Sequence, residues 1–290
     1  MRATIVITTK NRRDELERTL NSCVEQTARP EILVIDDGST DGTTTFVKSS
    51  YPTIQLVRDE KSQGLIAQRN NAAEIVNSDV IVSIDDDATF SANNIVANVM
   101  KQFTDPRVAA IAIPFVNVNT GDPLKQAAPD AQGTWITNEF IGTAYAIRRN
   151  VFREVGGFRD VFVHQEEEGD LCIRLLQRGY FVRLGTGAPI HHFQSAQRSF
   201  ERINFYGQRN LILFAWFNVP FPEVLLHLPV TIFNGLLWGL KQGFFQLRLK
   251  GTLIGLSTLF GQLARRAPVS RETYWLYRRL KKRGPITLAS

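Results

Sequence analysis

Short runs of β-branched and aliphatic residues alternate with segments of helical periodicity over the first 118 residues. The apolar runs predict strands, and the segments in which apolar residues recur every three or four positions predict helices. The predicted strands are ATIVITT (3–9), EILVIDD (31–37), IQLVRDE (54–60), DVIVSIDDD (79–87) and VAAIAIPFVNV (108–118). Helices are predicted within 13–26, 38–50, 64–78 and 91–103, the last opened by Ser91. This alternation indicates an α/β fold with a parallel sheet that is covered by helices on both faces.

Polar clusters follow three of these strands. TTKNR follows the first strand, DDGS the second and DDD the fourth. Ligands of such sheets bind beyond the carboxyl ends of the strands, so we expect these clusters to line one crevice. A glycine-rich dinucleotide fingerprint and a phosphate loop of the Lys-Ser/Thr type are both missing from the sequence, which argues against a dehydrogenase or an ATPase.

Three consecutive aspartates, Asp85, Asp86 and Asp87, end the fourth apolar run. Alternate residues of a strand point the same way, so Asp85 and Asp87 are expected to converge on one point. Two close carboxylates repel unless a cation lies between them, and Mg²⁺ or Mn²⁺ suits such ligands and commonly bridges to phosphates. The alternative is a solvated turn, since aspartate favours turns.

Three ordered motifs within about residues 3–195 resemble those of the family 2 nucleotide-sugar glycosyltransferases. They are the N-terminal IVITTKNRRDELERTLNSCVEQTARPEILVIDDGSTDGT, the Asp-x-Asp-like SIDDDA and the acidic EEEGDLCIRLLQRGY. The resemblance implies a GT-A fold with a mostly parallel, mixed sheet. It also implies a catalytic domain over 1–200, with a nucleotide-sugar half at about 1–105 and an acceptor half at about 106–200.

The resemblance also implies roles for individual residues on the donor side. It places Asp87 as the direct metal ligand and Asp85 near the donor ribose or sugar. It also implies a histidine that closes over the diphosphate or ligates the metal, for which His191 aligns best and His192 is next. Asp86 has no single implied role. An aspartate of this motif would also fit a turn, and that explanation suits Asp36 better than it suits Asp37. The remaining residues that the resemblance assigns to nucleotide-sugar binding are Thr8, Thr9, Asn11, Arg12, Asp37 and Arg69. For Arg69 an exposed position on the surface of its helix is the alternative.

The acidic motif carries the candidate catalytic base. Its carboxylates are Glu166, Glu167, Glu168 and Asp170, and such residues in the first turn of a helix are also favoured by the helix macrodipole. Asp170 is further spaced to pair with Arg174. Crowding of like charges nevertheless raises a carboxylate pKa, which makes a better general base. The family pattern points to Glu168, where most relatives have Asp, and Glu167 stays a rival.

Three further residues are candidates for the acceptor side. Asp170 belongs to the acidic motif, and Gly142 in NEFIGTAYAIRR lies in a segment where a missing Cβ would let a sugar approach the backbone. Trp135 would stack on an acceptor ring, or would equally belong to the core.

The last hundred residues differ from the rest in charge and hydropathy. Residues 1–190 hold 20 Lys and Arg against 25 Asp and Glu, whereas residues 191–290 hold 14 against 3. The 17 residues from 224 to 240 carry no charged side chain except His227, and cationic runs follow. We therefore predict a helical, basic extension over 201–290 that lies on an anionic membrane surface. An ordinary helical subdomain is the alternative, and nucleic acid is not expected as a partner.

The resemblance, together with these patterns, implies an inverting, metal-dependent glycosyltransferase. The expected partners are a nucleotide diphosphate sugar and a lipid-linked or polysaccharide acceptor, at the cytoplasmic face of the cell membrane. The apolar run in MRATIVITTK is too short for a signal peptide. The alternatives are a sugar-phosphate nucleotidyltransferase, which would carry a glycine-rich phosphate loop, and a non-catalytic, membrane-attached nucleotide-sugar-binding protein. The sequence defines no donor sugar and no oligomeric state.

Overall fold

A nine-stranded mixed sheet lies at the centre of the computed structural model, which describes residues 1–194 and 199–288. A second sheet of three strands lies beside it within the same described ranges. The strands are β1 (Ala3–Thr9), β2 (Glu31–Asp36), β3 (Gln55–Arg58), β4 (Val80–Ile84), β5 (Ala88–Phe90), β6 (Val108–Ala112), β7 (Phe115–Asn117), β8 (Trp135–Thr137), β9 (Ala144–Arg148), β10 (Phe181–Leu184), β11 (Ile190–His192) and β12 (Ile286–Thr287).

Helices cover both faces of the large sheet. They are α1 (Arg13–Val24), α2 (Thr43–Ser50), α3 (Leu65–Ile75), α4 (Ile95–Met100), α5 (Arg149–Glu154), α6 (Glu167–Gln177), α7 (Phe200–Asn218), α8 (Val224–Gln242), α9 (Phe245–Gly261) and α10 (Arg271–Arg283), with a short 3₁₀ helix at Leu263–Arg265. The alternation of side chains along each strand fills two cores: Ile5 and Ile7 pack into one, and Val6 between them packs into the other. The predicted α/β class is therefore confirmed.

The strand order is β12-β8-β10-β6-β9-β4-β1-β2-β3. The strands β1, β2, β3 and β4 run parallel, so their carboxyl ends meet at one edge. β9 is antiparallel to both β4 and β6, and it joins the two halves of the sheet. The sheet is thus mixed, as the resemblance implied.

Two details of the predicted elements are wrong. The apolar run over 108–118 forms two strands in different sheets, since β6 belongs to the large sheet and β7 pairs with β11. Pro114 separates them and has no backbone N–H to offer a ladder. The helix expected to open at Ser91 instead begins at Ile95, because the Ser91 hydroxyl donates to the Pro189 carbonyl 2.6 Å away.

The C-terminal helices pack on the acidic helix α6. α7 and α10 both contact α6, and β12 adds to the edge of the large sheet beside β8. α8 and α9 pack on α7 and leave large apolar side chains exposed, including Phe233, Leu253 and Phe260. By length and composition alone α8 could cross a membrane, with a mean hydropathy of 1.3 and 11% of that stretch buried. The boundary at residue 200 stays a prediction, and residues 195–198 beside it lie outside the described residues.

Candidate active site

The carboxyl ends of β1, β2 and β4 form the floor of the site. The strand order places β1 between β4 and β2, so the three polar segments that follow these strands lie side by side. Asn11 has a φ of 54° and ties two of the segments together. Its backbone N–H donates to the Ser39 hydroxyl at 2.9 Å, and its side-chain oxygen accepts from the Thr40 N–H at 2.7 Å.

The three aspartates lie in a turn between β4 and β5, and arginines face each of them. Arg12 donates to Asp86 at 3.1 Å and to Asp87 at 2.8 Å, and Arg69 donates to Asp85 at 3.0 Å. Burial raises the pKa of Asp86 to about 7 despite the charge of Arg12. Burial opposes ionisation of Asp87 too, but the hydrogen bond from His192 and the charges of His192 and Arg12 outweigh it and lower its pKa.

His192, and not His191, lies beside these carboxylates. The ligand atoms of Asp85, Asp87 and His192 all lie within 4.8 Å of one another, and His192 Nε2 is 3.2 Å from Asp87 Oδ1. The other ring nitrogen, Nδ1, lies 2.6 Å from Asn117 Oδ1 and is thereby oriented. His191 is the neighbouring residue of β11 and faces the opposite side of that strand. The structure therefore brings the second of the two candidate histidines, His192, to the cluster and leaves the first choice, His191, outside it.

This donor set fits a divalent cation. Two carboxylates and one imidazole converge, and the imidazole is held by a second hydrogen bond, as in many metal sites. The sequence predicted that Asp85 and Asp87 converge, because side chains alternate along a strand. In the structure β4 ends at Ile84, and a turn brings the two carboxylates together. The predicted convergence is therefore right, but the reason given for it is wrong.

The acceptor side of the site centres on Glu168. Its Oε1 accepts the backbone N–H of Gly142 at 3.1 Å and lies 4.0 Å from Arg69 Nη1. Arg69 is 6% exposed and also donates to the Gly142 carbonyl, so it links Glu168 to Asp85. Burial raises the pKa of Glu168, and the charge of Arg69 offsets this only in part.

Gly142 is required where the backbone passes these side chains. A Cβ at this position would collide with the Glu168 carboxylate and with Arg69, whose Nη1 would lie 2.7 Å away. The sequence predicted a close approach at Gly142. The close neighbours in this structure are side chains of the protein.

Glu167 is more buried than Glu168. It is 4% exposed, and its Oε2 has no hydrogen-bond partner among the described residues. Burial, together with the charge of Glu168, raises the pKa of Glu167 to about 8. The preceding residues Gln165 and Glu166 both have positive φ, at 70° and 68°, and Asn210 of α7 holds the carbonyl of Gln165 at 2.9 Å. α7 thus fixes the strained entry to the acidic helix.

Asp170 is the centre of a buried ion-pair network and does not face the site. It is fully buried, and its carboxylate binds Arg159, Arg174 at 2.9 Å and Asn218 at 2.8 Å. The predicted acceptor role of Asp170 is therefore corrected: every one of its polar contacts is internal. The alternative of pairing with Arg174 is the one that the structure has.

Asp37 and Trp135 are two further residues that the sequence predicted for the site. Asp37 is buried, and its carboxylate accepts from Gln68, Gln63 and Gly64 at 2.7, 2.7 and 3.1 Å. Burial opposes ionisation of Asp37, but these bonds and one from Ser62 lower its pKa. Trp135 lies on β8 and packs partly buried against the core, away from the aspartates in strand order.

Thr8 and Thr9 end β1 at the floor of the site. Thr9 is buried, while Thr8 is half-buried. The Thr8 hydroxyl has no hydrogen-bond partner within the described residues and lies at the ligand-facing end of the strand.

Residues 4–159 match the family described as Glycosyl transferase family 2. An O-antigen chain rhamnosyltransferase of Salmonella typhimurium is 26% identical over 66% of this chain and 66% of its own length. A second O-antigen chain rhamnosyltransferase, of Salmonella anatum, is 28% identical over 58% of each chain. The chain thus spans less than two thirds of the length of these curated relatives.

The fold is shared with a solved mannosyltransferase of Pyrobaculum calidifontis in complex with GDP-Man and Mn²⁺. The TM-score is 0.62 at 20% identity, over 96% of this chain and 78% of that one. The family match covers more than half of the residues, including β4, β5 and the turn between them that carries the three aspartates. The chain belongs to glycosyl transferase family 2.

Proposed function

We propose that this protein is an inverting, metal-dependent glycosyltransferase that acts on a lipid-linked or polysaccharide acceptor with a nucleotide diphosphate sugar as donor. One observation carries the proposal: buried Arg69 connects the cluster of Asp85, Asp87 and His192 to Glu168. A site for an anionic leaving group therefore lies next to a candidate base. The family match argues against the nucleotidyltransferase alternative.

Asp85, Asp87 and His192 would hold Mg²⁺ or Mn²⁺ in this proposal. Such an ion supplies neutralisation of the charge that builds on the departing diphosphate. Arg12, whose side chain is 37% exposed and contacts two of the aspartates, is placed to add positive charge there. The unpartnered Thr8 hydroxyl is a further donor for the nucleotide.

Glu168 would take the proton of the acceptor hydroxyl. The hydroxyl oxygen forms a bond to the anomeric carbon as the bond from that carbon to the diphosphate oxygen breaks. The electron pair leaves with the nucleoside diphosphate, the proton goes to Glu168, and the anomeric configuration inverts. The raised pKa of Glu168 favours this role, because a base with a higher pKa accepts a proton more readily.

A deoxyhexose is the donor sugar that the comparisons favour. Both Salmonella relatives are rhamnosyltransferases, at 26% and 28% identity. We therefore rank a nucleotide diphosphate rhamnose first, ahead of GDP-mannose.

The exposed apolar side chains of α8 and α9 would rest on the cytoplasmic face of an anionic membrane. Phe233, Leu237 and Leu240 lie on one side of α8, and Leu249 and Leu253 lie on one side of α9. The cationic residues of α10 would face the lipid phosphates. Binding through an apolar face with cationic surroundings is typical of helices that lie in the interface.

The proposal is tested by supplying the purified chain with nucleotide diphosphate rhamnose, GDP-mannose and UDP-N-acetylglucosamine, each with Mn²⁺ or with EDTA. A bacterial lipid extract supplies the acceptor. We expect one donor to yield labelled lipid and a nucleoside diphosphate in Mn²⁺ alone. Donor binding with neither cleavage nor transfer, for every donor, would contradict the proposal and favour the non-catalytic alternative.

A further inference from the structure

A cavity of about 370 Å³ lies among α7, α8, α9 and α10, outside the site of the three aspartates. Glu166, at the entry to the acidic helix, is part of its wall, and so are Trp238 of α8 and Tyr277 of α10. This volume is within the usual range for a small-molecule site. One residue of the cavity wall, Glu166, is therefore only two positions before the candidate base Glu168 in the sequence.

Among the described residues, three cations line this cavity, and Glu166 is the only carboxylate in its wall. Arg248 is held by neutral groups: it donates to Asn204 at 3.3 Å and to Gln208 at 3.2 Å, and its guanidinium lies 4.2 Å from the centre of the Trp238 ring. Its orientation is thus fixed while its charge has no carboxylate partner in these contacts.

The other two cations belong to α10. The Arg278 side chain makes no hydrogen bond or ion pair with any described residue, and the Lys281 side chain has one long ion-pair contact, of 3.8 Å to Glu139. Excess positive charge in a partly enclosed site favours an anionic ligand, and arginine in particular recognises phosphate by charge-assisted hydrogen bonds. The wall thus has the chemistry of a phosphate site.

The apolar side chains of α8 beside the cavity indicate which kind of phosphate ligand would fit. Trp238 lines the cavity and is also 43% exposed on α8, next to the exposed Leu237. The same helix that provides the cavity wall therefore presents apolar side chains to the outside. A ligand with a charged head and a long apolar tail fits both surfaces, whereas a free phosphate would leave the apolar surface uncovered.

We propose that this cavity binds the phosphate or diphosphate group through which the acceptor glycan is attached to its lipid tail. This deepens the proposed function and rests on it. Arg248, Arg278 and Lys281 contact the phosphate oxygens, and the lipid tail runs along α8. Because Glu166 and Glu168 are two residues apart, the reacting hydroxyl lies only a short stretch of glycan away from the phosphate.

Farnesyl diphosphate is the probe, titrated calorimetrically into the full chain with EDTA, which removes the divalent cation that would hold a diphosphate at the aspartates. These conditions exclude binding of the probe at the cluster of aspartates. We expect Arg278→Gln and Arg248→Gln each to weaken binding by about tenfold or more, the worth of a charge-assisted hydrogen bond. Arg279→Gln is the matched control, since Arg279 is exposed, adjacent on α10 and absent from the cavity wall. It should bind as the wild type does.

Equal weakening by Arg278→Gln and Arg279→Gln would overturn the proposal, because it would indicate only a diffuse attraction to the basic surface. Inorganic diphosphate that binds as tightly as farnesyl diphosphate would also overturn it, in favour of a free anion. A nucleotide titration of each variant separates this proposal from the proposed function. The cavity variants should bind nucleotide with wild-type affinity. A wild-type chain that binds farnesyl diphosphate but no nucleotide would contradict only the enzymatic assignment.

Discussion

Replacing Glu168 by Gln removes the basicity of one carboxylate and keeps its shape. The amide oxygen of Gln can still accept the Gly142 N–H, which lies 3.1 Å from Oε1, so the side chain should stay in place. A positioned general base contributes about 10²–10⁴-fold to a rate. We therefore expect turnover to fall at least about a hundredfold, which corresponds to about 2.7 kcal/mol or more in the barrier.

Glu167→Gln is the matched control for this prediction. Glu167 is 4% exposed and has one oxygen without a partner, so we expect its replacement to leave turnover within a few-fold of the wild type. Burial raises the pKa of Glu168, and a base works only when deprotonated, so wild-type turnover should be lost as the pH falls through that raised pKa. The assay is release of nucleoside diphosphate across a pH series, beside a donor titration for each variant. Near-normal turnover of Glu168→Gln together with an inactive Glu167→Gln would refute the assignment.

The other predictions concern the metal cluster, the glycine and the buried acids. His192→Ala should weaken Mn²⁺ binding about tenfold or more in a calorimetric titration, whereas His191→Ala should not, and the reverse result would restore His191. Gly142→Ala should lower turnover about a hundredfold, because its Cβ displaces the Glu168 carboxylate, and wild-type turnover would show that the displacement is harmless. Asp170→Ala should lower the free energy of unfolding in urea by about 3–5 kcal/mol, since it leaves two arginines unpaired, and a loss below about 1 kcal/mol would reopen an acceptor role. Burial raises the pKa of Glu167 to about 8 from 4.5, so the free energy of unfolding should fall as the pH rises between these values, and Glu167→Gln should flatten that fall; an unchanged slope would contradict it.

The sequence alone was enough to predict those helices and strands that depend on the pattern of apolar residues in a short window. The strand that became β1 and the helix that became α1 were predicted within a few residues, because apolar alternation and helical periodicity are properties of short windows. The placement of Asp85 and Asp87 at a ligand-facing edge also followed, since carboxyl ends of parallel strands share an edge.

The remaining features depend on contacts between distant residues. His192 contacts Asp87 because β11 pairs with β5. These strands are about a hundred residues apart in the chain, and the sequence of the two histidines does not show which of them the pairing brings to Asp87. Asp170 is internal because Arg159 and Asn218 reach it from distant parts of the chain. The start of α4 moved from Ser91 to Ile95 because the Ser91 hydroxyl has a partner in a later loop.

The most direct test is a calorimetric titration of a nucleoside diphosphate into the wild type and Asp87→Asn, each with Mn²⁺ and with EDTA. Asp105→Asn is the control, because Asp105 precedes β6 at the opposite edge of the sheet and pairs with Arg107. We expect tight binding only for the wild type and the control, and only with Mn²⁺. Equal affinity of the wild type in Mn²⁺ and EDTA, or an Asp87→Asn variant that binds in Mn²⁺ as the wild type does, would contradict a metal site at this cluster.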